Sequence, residues 1–376
     1  MMKEKITVTK TSMPEYEDFI EKIKPLWETK WLTNMGTYHK ELEAKLKEYL
    51  EVPYLSLMVN GHMALEMAIQ SFDFPKGSEV ITTPFTFIST THAIVRNGLQ
   101  PVFCDIKETD YTIDETKIEA LITDKTVAIV PVHVYGNVCN VEEIQRIADK
   151  YGLKVIYDAA HAFGEKYKGI GVGNFGDASI FSFHATKVYN SIEGGAVTFK
   201  EPDMYERLYN LKNFGIRGEE VVADVGANAK MNEFCAIMGL CNLPLVESNI
   251  ATRREKTLYY LDQFKNCTNI TFLDYENDDL QRNYGYFPVL FDNQETRDVV
   301  FKILRDKNIF ARKYFYPLTA SAECFAGVYS DVELKVAREI SETVLVLPLY
   351  PELEDVEIDR IVDIINEAIT FKLRFV

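Results

Sequence analysis

Paired cysteines, a positive charge balance, clustered histidines and long apolar runs are all missing from this sequence, and each absence removes a class of function. The six cysteines, at positions 104, 139, 235, 241, 267 and 324, include no C-x-x-C pair, so buried free thiols are expected. The six histidines are equally dispersed and show no H-E-x-x-H spacing, so no metal site is expected. No G-x-G-x-x-G follows the first strand-like run, which speaks against a dinucleotide-binding oxidoreductase. A formal net charge of −16 and a pI near 5.0 oppose a nucleic-acid partner, because phosphate backbones are held by positive surfaces. A small phosphorylated ligand is still compatible with this charge, since a helix N-terminus and a few basic side chains can hold one locally. No stretch approaches the roughly 20 consecutive apolar residues that span a bilayer. The opening MMKEKITVTKTSMPEYEDF has no signal-type apolar run, so a cytoplasmic protein without a membrane partner is expected.

What is present is core material. With 376 residues, 47% of them hydrophobic, the chain is long enough for one large domain and a smaller one. From Tyr54 to about Phe199, short apolar runs alternate with amphipathic ones. LSLMVN, SEVITT, LQPVFCD, TVAIVPV, LKVIYDA, ASIFSFH and GGAVTF are short, bounded by polar or glycine residues and without clean alternation, as in strands buried on both faces. Helical patterns occupy Glu41 to Leu50, Ala64 to Gln70 and Val141 to Tyr151. Such alternation predicts an α/β fold, with βαβ units around a mainly parallel sheet flanked by helices. After Lys200 the pattern predicts longer helices, Met204 to Asn213 and a run from Asn228 towards Leu245. Beyond these lie a helix over ATRREKTLYYLDQF, a strand in YGYFPVLF, a helix over RDVVFKILRD and a last helix from Val356 to Thr370. The domain boundary is placed near residue 250, giving a large domain over 1–250, N-terminal arm included, and a small one over 251–376.

In an open parallel sheet, ligands sit at the carboxyl ends of the strands. Four such places stand out. Asn60-Gly61-His62-Met63 enters a helix through a glycine, a seat for a phosphate, although Asn60 as a plain N-cap explains the same residues. Asp158 ends KVIYD among small apolar residues, where a carboxylate is costly unless a cation meets it; a protonated pyridine nitrogen would do so, and capping of a following element is the alternative. Ser182 and Lys187 lie in SFHATK directly after ASIF, so that a hydroxyl and an amine share one strand end. A solvated surface lysine is the ordinary alternative, but SIEGGAVTF returns to the core at once. Phe87, after EVITT, could stack on a flat heterocycle or simply belong to the core.

The chain resembles the DegT/StrS family of nucleotide-sugar aminotransferases. The resemblance begins at WLTNMG and runs through NGHMAL, TTPFTFIST, PVHVYGN, DAAHAFG, SFHATK, EGGAVTF and GANAKMNEFCAIMG to YFYPL and LPLYP. It implies an aspartate-aminotransferase-like fold, with a seven-stranded sheet in the large domain and a smaller α/β C-terminal domain. It also implies pyridoxal phosphate, with Lys187 carrying the cofactor as a Schiff base and Asp158 pairing with the pyridinium nitrogen. Phe87 would stack on the ring and His161 approach the ring oxygen. The phosphate would be held by main-chain N–H groups at Gly61, His62 and Met63 and by the Ser182 hydroxyl. Asn228 would reach the phosphate from the neighbouring subunit of a homodimer. Two residues depart from the family pattern: His62 stands where threonine is usual, and Lys230 where arginine is common.

The same resemblance implies glutamate as amino donor, a nucleotide-linked keto sugar as acceptor, and ping-pong kinetics. Its particular form in GHMALEMA, VIYDAAHAFG and SFHATKVYNSIEGG resembles the branch that aminates C4 of a 4-keto-6-deoxyglucose nucleotide; amination at C3 is the alternative. Thr33, Asn34, His184 and Tyr316 are the implied sugar contacts, with Arg312 and Lys313 candidates for the base and pyrophosphate. A dehydratase using the same cofactor has histidine at the Schiff-base position, which Lys187 opposes. A regulatory binder of the cofactor or a sugar nucleotide would not need that lysine.

Overall fold

The computed structural model describes residues 5–329 and 332–373. Its centre is a seven-stranded sheet. The strands are β1 (Tyr54–Met58), β2 (Glu79–Thr82), β3 (Gln100–Phe103), β4 (Thr126–Val130), β5 (Lys154–Asp158), β6 (Ala178–Ser182) and β7 (Gly195–Phe199). They lie side by side in the order β1-β7-β6-β5-β4-β2-β3. All seven are the runs expected from their apolar composition. Their residues are almost wholly buried because helices cover both faces. Only β7 runs against its neighbours, pairing antiparallel with both β1 and β6. The parallel strands therefore present their carboxyl ends along one edge, and β7 begins there: Gly195 lies opposite both Met58 and Ser182.

The helices that matter for this edge are α1 (Thr37–Tyr49), α2 (Gly61–Gln70), α3 (Ile88–Arg96) and α4 (Val141–Tyr151). Local signals set their ends. α4 starts after Asn140, whose side chain accepts from Glu143 N–H, and stops at Gly152, which adopts the left-handed φ of 67°. Further along come α5 (Asp203–Leu211), α6 (Glu233–Asn242) and α7 (Val246–Gln263). The helix expected from Asn228 begins at Glu233 instead, where Asn232 caps it by accepting from Cys235 N–H. Residues just before it run extended and are tied to the sheet, with Val59 N–H donating to the Ala229 carbonyl and Ala229 N–H to that of Lys212.

A second, antiparallel sheet joins Ile270–Phe272, Phe287–Phe291 and Val344–Leu347. Two helices, α8 (Gln294–Asp306) and α9 (Asp355–Leu373), pack with it. The last strand, VLVL, shows why four apolar residues run together. Leu345 and Leu347 belong to the core shared with the helices, whereas Val344 and Val346 belong to a separate aromatic cluster with Phe85, Tyr135 and Phe315 of the two domains. The division expected near residue 250 falls inside α7, which is continuous. The N-terminal arm, expected to go with the large domain, is built into the small one: Ile6–Thr7 pairs parallel with Ile309–Phe310, and Ile6 is buried in the small domain's core. Adding a strand there covers an otherwise open edge.

One helical stretch, Glu233–Gln263, is long and apolar enough by composition to cross a membrane, and 44% of its most apolar window is buried inside the protein. It is interrupted by the 3-10 turn Leu243–Leu245, with Pro244 at its start, and carries the buried Arg253, which donates to the Leu349 carbonyl. These are features of a core helix pair. All six cysteines are free, but Cys324 is exposed and Cys267 half-buried, so the expectation of six buried thiols holds for four. Both exceptions lie outside the large sheet's core. Among the described residues no three His, Cys, Asp or Glu side chains converge as a metal site.

Leu345 is fully buried between the second sheet and its helices. Leu345→Ala should lower stability by about 2–5 kcal/mol through lost transfer energy and a residual cavity. Urea unfolding of the variant against the parent checks this.

Candidate active site

At the carboxyl edge of the large sheet lies a cavity of about 680 Å³. Its floor is made where α2 meets β6 and β7. Asn60 enters α2 in extended geometry and its Oδ1 accepts from Met63 N–H at 2.8 Å. The contact allowed here is unusually close. A Cβ on Gly61 would lie 2.6 Å from Ser182 Cβ, and one on Gly195 would lie 2.6 Å from the Asn60 carbonyl oxygen. Two glycines thus let a helix N-terminus touch the Ser182 strand end, bringing free N–H groups and a hydroxyl to one point. His62 lines the same floor. Its Nδ1 lies 2.8 Å from Ser89 Oγ and its Nε2 3.3 Å from Glu66, which Arg96 also holds at 2.6 Å. These partners, His62 first, keep the Glu66 carboxyl below the usual range against the effect of burial.

Deeper in, Asp158 is buried at the end of β5. Its carboxylate accepts from the Thr90 hydroxyl at 2.8 Å and from Ala160 N–H at 3.1 Å. Burial still pushes its pKa above the ordinary 3.8, with Thr90, Ala160 and the Lys187 charge pulling the other way. Beside it, His161 accepts from Tyr135 N–H through Nδ1 at 3.1 Å, which puts any ring proton of the neutral form on Nε2. Burial holds this imidazole well below the ordinary histidine range, so it stays neutral. Lys187 lies on the loop after β6 and its Nζ donates to Tyr286 Oη at 3.0 Å. At the mouth, Phe87 is 58% exposed, although it sits against the cavity.

Gly61, His62, Phe87, Asp158, His161, Ser182, His184 and Lys187 therefore line one space, as the strand-end reading expected. Met63 does not. Its N–H is committed to the Asn60 cap, which leaves the first-turn N–H groups of Gly61 and His62 for a ligand. The plain N-cap reading of Asn60 and the phosphate-seat reading are thus both compatible with one turn. Asp158 caps no helix, because a turn follows it. Thr33 and Asn34 are exposed and lie outside the cavity of their own chain, with Asn34 at a left-handed φ of 61°. Asn228 also lies outside it and accepts from Lys230 Nζ at 2.9 Å. Tyr316 lines an adjoining chamber of about 450 Å³, which shares Phe87, Arg305, Arg312, Tyr314 and Phe315 with the first. Lys313 lines that chamber too, with its amine 2.5 Å from Asp298.

Several contributors escaped the sequence reading. Thr90 sits on the inner face of α3, Tyr286 precedes a strand of the small domain, and Arg305 lies in the last turn of α8. Each looks like an ordinary helix or strand residue until the elements are packed together.

The residues present fit pyridoxal phosphate. Asp158 is a buried carboxylate whose two hydrogen-bond donors are neutral, so a ring N–H⁺ would supply the missing cation. The Gly61–Ser182 contact is a phosphate seat that a side chain would fill. Phe87 offers an uncovered ring face, and Lys187 is an amine within the same walls.

The profile of the DegT/DnrJ/EryC1/StrS aminotransferase family matches residues 14–366. A dTDP-4-amino-4,6-dideoxy-D-glucose transaminase of Shigella dysenteriae is 42% identical over 368 residues, covering 97% of this chain and 100% of the relative. One of the same description from Escherichia coli is 43% identical over 357 residues, covering 93% and 95%. A crystal structure of DesI in the presence of its TDP-sugar product superposes with a TM-score of 0.92 at 30% identity, covering 98% of this chain and 96% of that one.

Two substitutions test the fit. Gly61→Ala should keep the far-UV spectrum while weakening pyridoxal phosphate binding by about tenfold or more, since the helix end must shift off Ser182; absorbance titration measures it. Asp158 has a folded pKa above its unfolded one, so its cost to the cofactor-free protein builds as pH rises from the unfolded value and is complete above the folded value. Cofactor-free Asp158→Asn should accordingly melt higher than the parent near neutral pH and lose that advantage in acid, as calorimetry would show.

Proposed function

Because this chain belongs to the DegT/DnrJ/EryC1/StrS aminotransferase family, whose aminotransferases work with pyridoxal phosphate, we propose that it moves the amino group of glutamate to a nucleotide-linked 4-keto-6-deoxy-D-glucose, giving the 4-amino-4,6-dideoxy-D-glucose nucleotide, with Lys187 as the residue that carries the cofactor. The observation that carries the reading is the convergence of Lys187, buried Asp158 and the Gly61–Ser182 seat on one cavity. The C4 position rests on the description shared by the two relatives above 40% identity.

When bound, the cofactor supplies an electron sink for the pair left on carbon after a proton is removed. Asp158 would keep the ring nitrogen protonated, a pairing that the low dielectric around it strengthens. Gly61 and His62 N–H groups and the Ser182 hydroxyl would hold the phosphate, and Phe87 would lie against the ring. His161, fixed by Tyr135 N–H with its proton on Nε2, is oriented to donate to the ring oxygen. The Lys187 amine, once free, would take up the proton lost from the donor's α-carbon and give it back later in the transfer, and with the keto sugar it would move protons in the opposite order. Two half-reactions through one amine require ping-pong kinetics.

Acceptor recognition falls to the outer part of the cavity. Arg305 and Arg312 line both chambers, and neither is in an ion pair among the described residues, which suits the diphosphate of a nucleotide sugar. Lys313 is tied to Asp298 and is the weaker candidate of the 312–313 pair. Tyr316 and His184 face the sugar side. Thr33, Asn34 and Asn228 lie outside their own chain's cavity and act across the interface of a homodimer, Asn228 towards the phosphate. The exposed apolar residues Val221, Val222 and Val225 near Asn228 support such an interface. Six free cysteines suit a cytoplasmic enzyme.

The loaded protein should be yellow, and glutamate should shift its visible band. A preparation that stays colourless with pyridoxal phosphate sinks the reading, and a band that glutamate leaves unmoved favours a regulatory binder. Lys187→Ala should fold normally and lose turnover by about a thousandfold or more. NMR of products from 4-keto and 3-keto nucleotide sugars decides the carbon, and amination of the 3-keto substrate alone overturns the C4 assignment.

A further inference from the structure

Tyr286 belongs to none of the motifs around the cavity, yet its Oη is 3.0 Å from Lys187 Nζ, and the amine lies 5.6 Å from the centre of the same ring. The contact is therefore made at the hydroxyl and not at the ring face. The segment that delivers it is firmly held. Asn283 is buried, and its side chain donates to the carbonyls of His161 at 2.8 Å and Phe163 at 3.1 Å. Its main-chain N–H donates to Glu165 Oε1 at 3.0 Å, and its own Oδ1 accepts from Gly285 N–H at 2.9 Å. Burial lifts Glu165 to about 8, against the pull of the Asn283 N–H and Arg282. The Tyr286 ring lies 4.6 Å from that of His161 and 5.6 Å from that of Tyr135, and needs no hydroxyl to be placed.

We propose that Tyr286 is a further catalytic residue of the transamination, whose hydroxyl holds the Lys187 amine in line with the carbon it deprotonates; this rests on the reading of Lys187 given above. The α-carbon C–H bond of the donor breaks and an N–H bond forms on Lys187, with the electron pair staying on the carbon framework. The resulting ammonium donates to Tyr286 Oη, and the neutral amine accepts from it. The proton then leaves Lys187 for the cofactor carbon, while Tyr286 keeps its own proton throughout. A free lysine side chain has several rotatable bonds, and the hydroxyl removes that freedom at the moment the amine is detached. The groups facing this amine are Asp158, which attracts its charge, the neutral His161, and Tyr286 itself.

The test is Tyr286→Phe, which keeps the ring and its packing. Borohydride reduction of the loaded protein followed by peptide mass mapping should place the cofactor on Lys187 in parent and variant alike. In stopped flow with glutamate, the variant's half-reaction should slow by about tenfold or more, while the glutamate concentration for half-maximal rate changes little. The kinetic isotope effect with α-deuterated glutamate should rise, because the proton transfer becomes more fully rate-limiting. Independently of turnover, the pH midpoint of the visible band should shift from the parent's. Trapping on Lys187 in both proteins with unchanged rate, isotope effect and midpoint overturns the role of Tyr286 and leaves that of Lys187 standing. Failure to trap on Lys187 in the parent overturns both.

Discussion

A carboxylate buried at the end of a central strand is the constraint around which this site is arranged. Asp158 is held by a hydroxyl and an amide, and burial opposes its charge. A protein that keeps such a group at neutral pH carries a local penalty, which a cation of fitting shape can relieve. The parallel sheet makes the location possible. At its carboxyl edge, strand ends supply main-chain groups and side chains on one side only, while the amino edge contributes nothing to the cavity.

The remaining parts of the site are consequences of close packing around that edge. Gly61 and Gly195 have no side chain where α2 meets β6 and β7, so a helix N-terminus comes within contact of Ser182. The His62 ring is drawn to Ser89 and Glu66, so it is occupied while the His62 N–H stays at the seat. The small domain then closes the other side. Arg312 pairs with Val346 through the main chain, and the aromatic cluster of Phe85, Tyr135 and Phe315 joins the two domains beneath the cavity. Two-domain packing, with the N-terminal arm paired to Ile309–Phe310 beside the small domain's core, brings Tyr286, Arg305 and Arg312 to residues of the first.

Much of this was legible in the chain. The seven apolar runs became the seven strands, and Asp158, Ser182, Lys187, Phe87 and Gly61 were singled out because each stands just after one of them. Short runs buried on both faces leave a strong mark, since every position must be apolar and the first polar residue marks the strand's end. Errors came where the pattern was degenerate. The extended stretch at Asn228 shares its composition with the helix after it, so the start of α6 was set five residues early. At the phosphate seat, the Met63 N–H that the resemblance implies for the phosphate goes to the Asn60 side chain, and composition leaves both partners open.

Sequence alone determined the class of the fold, the sheet edge where the cavity lies and the side chains that a neighbouring strand end exposes, because these follow from local polarity and period. It did not determine which distant groups meet them. Thr90 at Asp158, Tyr286 at Lys187 and Arg305 at the outer chamber are separated from the groups they meet by tens of residues or more, and nothing in their own neighbourhoods marks them. Only the tertiary structure decided those contacts, because Thr90 meets Asp158 through packing inside the large domain, and Tyr286 and Arg305 reach the cavity through the packing of the small domain on it. That packing is set by long-range apolar burial, which no local pattern encodes.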